Sequence, residues 1–232
     1  MLGYYDYTVW LTYMSLLSAG AGIIISLNGT GHPYLGIFFL MLSGLCDAFD
    51  GKVARTKKNR TKTEVNYGIQ IDSLADMVAF GILPVCIGNA MIKVLPTLPE
   101  AARIHTARIE SFPFVVLFSV IMFFYALATL IRLAYFNVTE EERQEKEGGV
   151  RKCYEGLPVT SAALIFPLVL SLQYIMPMDI TPVYFLAMFL AGIAFISPFK
   201  MPKPGTKAIL TMVGIGALDF IVLAILAFMK PN

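Results

Sequence analysis

Long apolar runs constrain the fold of this 232-residue chain more than any other feature. About twenty apolar residues in a helix cross a bilayer core, where a helix satisfies its own backbone hydrogen bonds. The composition agrees, because 57% of the residues are hydrophobic and only 15% are charged. We therefore predict an all-α, polytopic transmembrane helical bundle forming one integral membrane domain over 1–232. Its candidate spans are 8–27, 33–53, 69–92, 113–135, 158–176, 181–199 and 207–229.

Lysine and arginine are distributed unevenly between the loops. If the first loop lies outside, thirteen of the 18 basic residues fall at 52–62, 143–152 and 200–207, and four fall on the opposite side. The positive-inside rule then places the N-terminus and these three segments in the cytoplasm. We interpret the cations at 57–62 as a topology signal rather than as site residues. The net charge of +2 gives no support to nucleic-acid binding.

Four aspartates lie at the predicted cytoplasmic ends of the second and third spans. Asp47 and Asp50 are three residues apart, and Asp72 and Asp76 are four apart, so each pair shares one face of its helix. Consecutive antiparallel helices bring both pairs to the same depth. Clustered carboxylates in a low-dielectric setting are expected to need protons or a cation. Oxygen ligands favour Mg²⁺, Mn²⁺ or Ca²⁺.

Residues 47–55 read DAFDGKVAR and residues 68–76 read GIQIDSLAD. Together they resemble the D-x-x-D-G-x-x-A-R and G-x-x-x-D-x-x-x-D halves of the signature of the CDP-alcohol phosphotransferases. These membrane enzymes displace CMP from a CDP-linked lipid or alcohol with a second alcohol. Every signature residue is present, although the segment 56–67 is longer than the usual spacing. The resemblance implies a six-helix core over about 8–200, to which the run at about 207–229 would add a seventh span.

The resemblance also implies roles for individual residues. Two divalent cations per site, Mg²⁺ or Mn²⁺ with Ca²⁺ as a substitute in crystals, would be held by the four aspartates, and Asp76 would also be the general base. Gly51 would allow close approach of the nucleotide, and Arg55 would present a planar fork to phosphate oxygens. The complete set expected to bind the CDP-lipid is Gly51, Ala54, Arg55, Gly68 and Thr12. A homodimer is implied by the family alone.

Three further runs favour serine as the acceptor alcohol. Residues 72–84, 132–137 and 154–158 read DSLADMVAFGILP, RLAYFN and YEGLP. They resemble runs of the phosphatidylserine-forming branch, which transfers the phosphatidyl group of CDP-diacylglycerol to L-serine and releases CMP. Arg132 is then expected to bind the carboxylate of serine or a phosphate. The membrane enzyme so implied would work at the cytoplasmic surface, with its lipid substrate in the bilayer.

Three alternatives remain open, and one of them is a non-catalytic membrane scaffold. The same chemistry could use glycerol 3-phosphate or inositol, although an acceptor phosphate would call for extra cationic residues. A divalent-cation transporter could use the same aspartates, but transporters usually place ion ligands near the membrane midplane. Ser15, Ser18, Gly20 and Gly22 are expected to ease helix packing rather than to bind substrate.

Overall fold

The computed structural model describes residues 3–28, 33–93, 112–146, 153–175 and 179–202, with single helical positions at 211, 214, 216, 218 and 221. The predicted seventh span at 207–229 otherwise lies outside the described residues. The helices are α1 Trp10–Leu27, α2 Pro33–Ala54, α3 Lys62–Asp76, α4 Leu83–Lys93, α5 Phe112–Lys146, α6 Ala162–Ile175 and α7 Thr181–Ile196. A π-helical segment, Met77–Ile82, joins α3 to α4, and a 3₁₀ turn, Val159–Ser161, precedes α6.

The all-α membrane bundle is confirmed for the described part of the chain. Four helical segments are long and apolar enough to cross a membrane, namely Trp10–Leu27, Pro33–Ala54, Lys62–Ile92 and Pro113–Arg143. Two shorter apolar helices, Val159–Leu172 and Thr181–Ile196, pack with them. The buried centre is rich in aromatic side chains, and Tyr125, Phe166, Tyr184 and Phe195 contact one another there.

The third helix begins seven residues earlier than its predicted span at 69–92. Thr61 accepts from the Glu64 N–H at 3.2 Å, and the Glu64 carboxylate accepts from the Thr61 N–H at 2.7 Å. This capping box satisfies two of the free N–H groups at the helix start. The predicted span left out the first two turns of α3 because their residues are polar. These turns extend α3 beyond the apolar part of the span.

Helices α1 and α2 meet through small polar side chains. Ser15 and Ser43 each donate a hydroxyl hydrogen bond to the other's backbone carbonyl, at 3.3 and 3.0 Å, and Ser18 donates to Phe39 O at 2.8 Å. Such residues allow close backbone approach between membrane helices. The packing role predicted for Ser15, Ser18 and Gly22 is confirmed. At Gly20 no described residue lies within 4 Å of the position that a Cβ would occupy, so its packing role stays a prediction.

The π-helical segment follows directly after Asp76 and has an identifiable cause. Pro84 has no N–H and cannot donate the usual helical hydrogen bond to the carbonyl of Phe80. The buried hydroxyl of Tyr125 on α5 donates to that carbonyl at 2.7 Å, and Tyr184 on α7 donates to Pro84 O at 2.8 Å. Both tyrosines therefore fix the irregular helix that ends the aspartate-bearing segment.

A small antiparallel ribbon, which the sequence did not predict, joins the α5–α6 connection to the end of α7. Its strands are β1 Cys153–Glu155 and β2 Lys200–Pro202. Gly156 follows β1 with φ +74°, and its N–H donates to Phe199 O at 2.7 Å. A Cβ at Gly156 would lie 2.9 Å from two backbone carbonyl oxygens, so both space and backbone conformation require glycine there.

Candidate active site

The carboxyl groups of the four signature aspartates meet between the last turns of α2 and the last turns of α3. Asp47, Asp50 and Asp72 each place one carboxylate oxygen within 4.8 Å of the others. The carboxyl groups face each other in two pairs across the helices, Asp47 with Asp76 and Asp50 with Asp72. Asp50 and Asp76 are 6% and 8% exposed, so half of the cluster is withdrawn from solvent.

The donor set fits a divalent cation. Two oxygen ligands of one Mg²⁺ or Ca²⁺ ion, each 2.0–2.6 Å from it, can be no more than about 5 Å apart. The 4.8 Å limit met by Asp47, Asp50 and Asp72 satisfies that condition. Bringing four carboxylates together would otherwise be costly through mutual repulsion and desolvation. The cluster can therefore bind metal ions, as the sequence predicted.

Thr12 reaches the cluster from α1. Its hydroxyl Oγ1, which is buried, donates to Asp50 Oδ2 at 3.1 Å. The bond fixes one oxygen of Asp50, whose carboxylate also faces Asp72. The structure thus places Thr12 beside a carboxylate, where it orients the expected ligand.

The two signature glycines each lie under an arginine. A Cβ at Gly51 would be 3.3 Å from Nη1 of Arg55, one helical turn further along the chain. A Cβ at Gly68 would be 2.7 Å from Nη2 of Arg60, which belongs to the loop before α3. Arg55 is solvent-exposed, and Ala54, the last residue of α2, is partly buried.

Arg132 lies on α5 beside the connection to α6. It is only 5% exposed, its Nε donates to Leu157 O at 3.3 Å, and its guanidinium stacks over the ring of Phe136 at 5.6 Å. Arg132 therefore ties the run at 132–137 to the run at 154–158. Both runs resemble the phosphatidylserine-forming branch and favour serine as the acceptor.

The structure contains a contact between the run at 132–137 on α5 and helix α3 that was not predicted from the sequence. Asn137 Nδ2 donates to Ser73 Oγ at 2.8 Å, and Ser73 follows Asp72 directly on α3. The two residues lie in the runs at 132–137 and 72–84, but the sequence does not show that they pair. The bond joins α5 to α3 at the level of the carboxylates.

The N-terminal segment is bound to the loop between α2 and α3. Lys57 Nζ contacts Asp6 Oδ2 at 2.7 Å and Glu64 Oε1 at 2.8 Å. The hydrogen bond from Lys57, with further help from Thr8, lowers the pKa of Asp6 from 3.8 to about 2. The hydrogen bonds to Asp6 and then Glu64 raise the pKa of Lys57 to about 12. The basic loop between α2 and α3 is thus fixed at Lys57 by two ion pairs.

Comparison with known proteins matches residues 8–198 to the CDP-alcohol phosphatidyltransferase model. The CDP-diacylglycerol–serine O-phosphatidyltransferase of Saccharomyces cerevisiae is 34% identical over 164 residues, 66% of this chain and 50% of the yeast protein. The protein of that name from Mycobacterium bovis is 24% identical over 217 residues, 92% of this chain and 67% of its own length. That from Methanocaldococcus jannaschii is 36% identical over 73 residues, 31% of each chain.

The aligned part spans about half the length of the yeast relative. The family match, in contrast, extends from the start of the predicted core to the end of α7 and includes all four clustered aspartates. The chain belongs to the CDP-alcohol phosphatidyltransferase family.

Proposed function

We propose that the protein transfers the phosphatidyl group of CDP-diacylglycerol to the hydroxyl of L-serine, giving phosphatidylserine and CMP. The observation that carries the proposal is the carboxylate cluster of Asp47, Asp50 and Asp72, with Asp76 beside it, in a chain of this family. The names of the yeast, mycobacterial and archaeal relatives support serine as the acceptor. The runs at 72–84, 132–137 and 154–158, which resemble runs of the phosphatidylserine-forming branch, also support it.

In the proposed reaction the serine oxygen bonds to the β-phosphorus, and the bond from that phosphorus to the bridging oxygen breaks. CMP leaves with the electron pair. Asp47, Asp50, Asp72 and Asp76 would hold two divalent cations, Mg²⁺ or Mn²⁺, which neutralise pyrophosphate charge when bound. Asp76 would accept the hydroxyl proton, for which its carboxylate needs to lie within hydrogen-bond reach of serine.

Other residues would orient the two substrates. Gly51 and Gly68, which have no side chain, would allow the CDP moiety to approach the helices closely, and the small side chain of Ala54 would do the same at the end of α2. Arg55 would bind phosphate oxygens through its planar guanidinium. Thr12 would act through Asp50, by holding one of its oxygens. Arg132 would bind the carboxylate of serine or a phosphate from the α5 side of the site.

We further propose how the domain lies in the membrane. The excess of basic residues at 52–62, 143–152 and 200–207 supports a cytoplasmic N-terminus and active site. Residues 1–232 would form one domain, with 207–229 as a seventh span. A homodimer is proposed from family membership, and cross-linking in native membranes tests it.

The catalytic assignment is tested with purified protein in lipid nanodiscs. Asp76→Asn should lower CMP release by at least about a hundredfold, in the range found when a general base is lost. Binding of CDP-diacylglycerol should change much less. Glu141→Gln is the matched control. It removes one exposed carboxylate charge from a different helix, α5, and should retain activity. Turnover of Asp76→Asn at the wild-type rate would refute the general-base role.

A panel of acceptors tests the substrate. CMP release from CDP-diacylglycerol should require a divalent cation and should be supported by L-serine. Release supported by inositol or glycerol 3-phosphate, and not by serine, would contradict the proposed acceptor while leaving the reaction class intact.

A further inference from the structure

The loop between α2 and α3 is held in one conformation by its own side chains and by the N-terminal segment. Lys57 forms ion pairs with Asp6 and Glu64, and the capping box of Thr61 and Glu64 starts α3. Thr56 Oγ1 donates to Val53 O at 2.7 Å at the beginning of the loop. A loop fixed in this way can hold a side chain at a defined place beside the site.

Arg60 is the side chain so placed. Its Nη2 donates to the backbone carbonyl of Glu64 at 3.2 Å and covers Gly68, at 2.7 Å from the position of a Cβ there. Its Nε is buried and, among the residues that the structure describes, has no hydrogen-bond partner. A buried donor without an acceptor costs free energy, and that cost disappears when an acceptor binds.

The position of Gly68 points Arg60 toward the aspartates. Gly68, Asp72 and Asp76 are spaced by four residues, so they lie along one face of α3. Arg60 therefore covers the turn next to Asp72 on the helix face that carries the carboxylates. Arg55 covers Gly51, the residue after Asp50, in the corresponding way on α2. The site thus has one arginine guanidinium beside α2 and another beside α3.

We infer that Arg60 is a second phosphate-binding arginine of the site, and that its guanidinium contacts a phosphate oxygen of the CDP-linked lipid once a shift of the side chain uncovers the buried Nε. The inference rests on the proposed function for the identity of the substrate. A guanidinium donates to phosphate in a planar fork, and such charge-assisted bonds are stronger than neutral ones. The carbonyl of Glu64 holds one end of the fork and leaves Nε for the ligand.

Binding of CDP-diacylglycerol to Arg60→Gln, without acceptor, tests the inference. In nanodiscs of phosphatidylcholine alone, affinity should fall about ten- to hundredfold. Arg60→Lys keeps the charge and should recover part of the loss. Lys58→Gln removes an exposed cation two residues away and should bind like the wild type. The KM for serine should stay within about twofold in all three variants.

Several results would overturn the inference. One is unchanged or tighter binding by Arg60→Gln, and another is equal loss in Arg60→Gln and Arg60→Lys, which would assign the effect to loop structure rather than charge. An effect seen only in nanodiscs containing anionic lipid would mean that Arg60 binds bilayer headgroups instead. If Arg60→Gln does not fold, Arg60→Lys alone must still show a measurable loss of affinity.

The two proposals fail in different ways. If the wild type makes phosphatidylserine and Arg60→Gln binds CDP-diacylglycerol normally, the role of Arg60 is wrong and the function stands. If the wild type binds CDP-diacylglycerol through Arg60 but transfers only to another alcohol, the function is wrong and the role of Arg60 stands.

Discussion

Tyr125→Phe removes the hydrogen bond that supports the π-helical segment and changes little else. The side chain is fully buried, so phenylalanine keeps the ring contacts with Phe166 and Phe195. What is lost is the 2.7 Å bond from the hydroxyl to Phe80 O. That carbonyl lacks the donor that residue 84 would normally supply, because residue 84 is proline.

The expected loss in the free energy of unfolding follows from the type of hydrogen bond removed. Deleting one partner of a buried hydrogen bond costs about 1–3 kcal/mol in soluble proteins. Hydrogen bonds inside membrane proteins average only about 0.6 kcal/mol. Because the acceptor has lost its usual helical donor, we expect a loss of about 1 kcal/mol in the free energy of unfolding, measured by titration with SDS in mixed micelles.

Two controls separate this bond from a general effect of losing a hydroxyl. Tyr135→Phe removes an exposed hydroxyl, whose bond to Glu155 is 3.0 Å long, and should cost less than about 0.5 kcal/mol. Pro84→Ala restores an N–H at residue 84, so Tyr125→Phe should cost less in that background. An equal cost with and without Pro84, or no cost in either background, would refute the account of the π-helical segment.

Three further predictions concern packing and charge. Gly44→Ala should lower the free energy of unfolding by about 1–3 kcal/mol, since the new Cβ would lie 2.4 Å from that of Ala163. Gly20→Ala, whose new Cβ would meet no described residue within 4 Å, should leave the free energy of unfolding unchanged or raise it by up to about 1 kcal/mol. The reverse order in SDS titration would contradict both. Gly156→Ala should lower the thermal midpoint, because φ is +74° and carbonyl oxygens crowd the site; a wild-type midpoint would refute this. The pKa of Asp6 in the folded protein, about 2, lies below its ordinary 3.8. The contribution of Asp6 to the stability of the fold is therefore present above pH 4 and is lost as the pH falls toward 2. The difference in thermal midpoint between wild type and Asp6→Asn should shrink from pH 5 to pH 3, and a constant difference would show that the ion pair does not contribute.

Most of the bundle could be predicted because one physical rule governs it. Apolar runs near twenty residues long become helices in a bilayer, and each predicted run between 8 and 199 overlaps a helix that the structure describes. The boundaries were harder, because the start of α3 depends on a capping box rather than on hydropathy. The irregular turn after Asp76 depends on Pro84 together with a tyrosine 41 residues later in the chain, and that pairing exists only in three dimensions.

The candidate active site likewise has features that could be predicted from the sequence and features that could not. The aspartates could be grouped from their spacing on two antiparallel helices, and the structure brings them together. Arg60 could not be distinguished from the other loop cations, because its position over Gly68 depends on the path of the loop. The bond between Asn137 and Ser73 likewise requires α5 to pack beside α3. Local patterns identify side chains on one helix, whereas contacts between loops and distant helices depend on the complete packing.

Incorporation of labelled serine into lipid is the most direct test of the proposed function. Purified protein is supplied with CDP-diacylglycerol, Mg²⁺ or Mn²⁺ and labelled L-serine, and chloroform-extractable label is counted together with CMP. The account predicts one labelled lipid per CMP released, with neither product formed when the cation is removed by a chelator. Release of CMP without label in the lipid would contradict serine as the acceptor, and undiminished turnover after chelation would contradict metal-dependent catalysis at the aspartates.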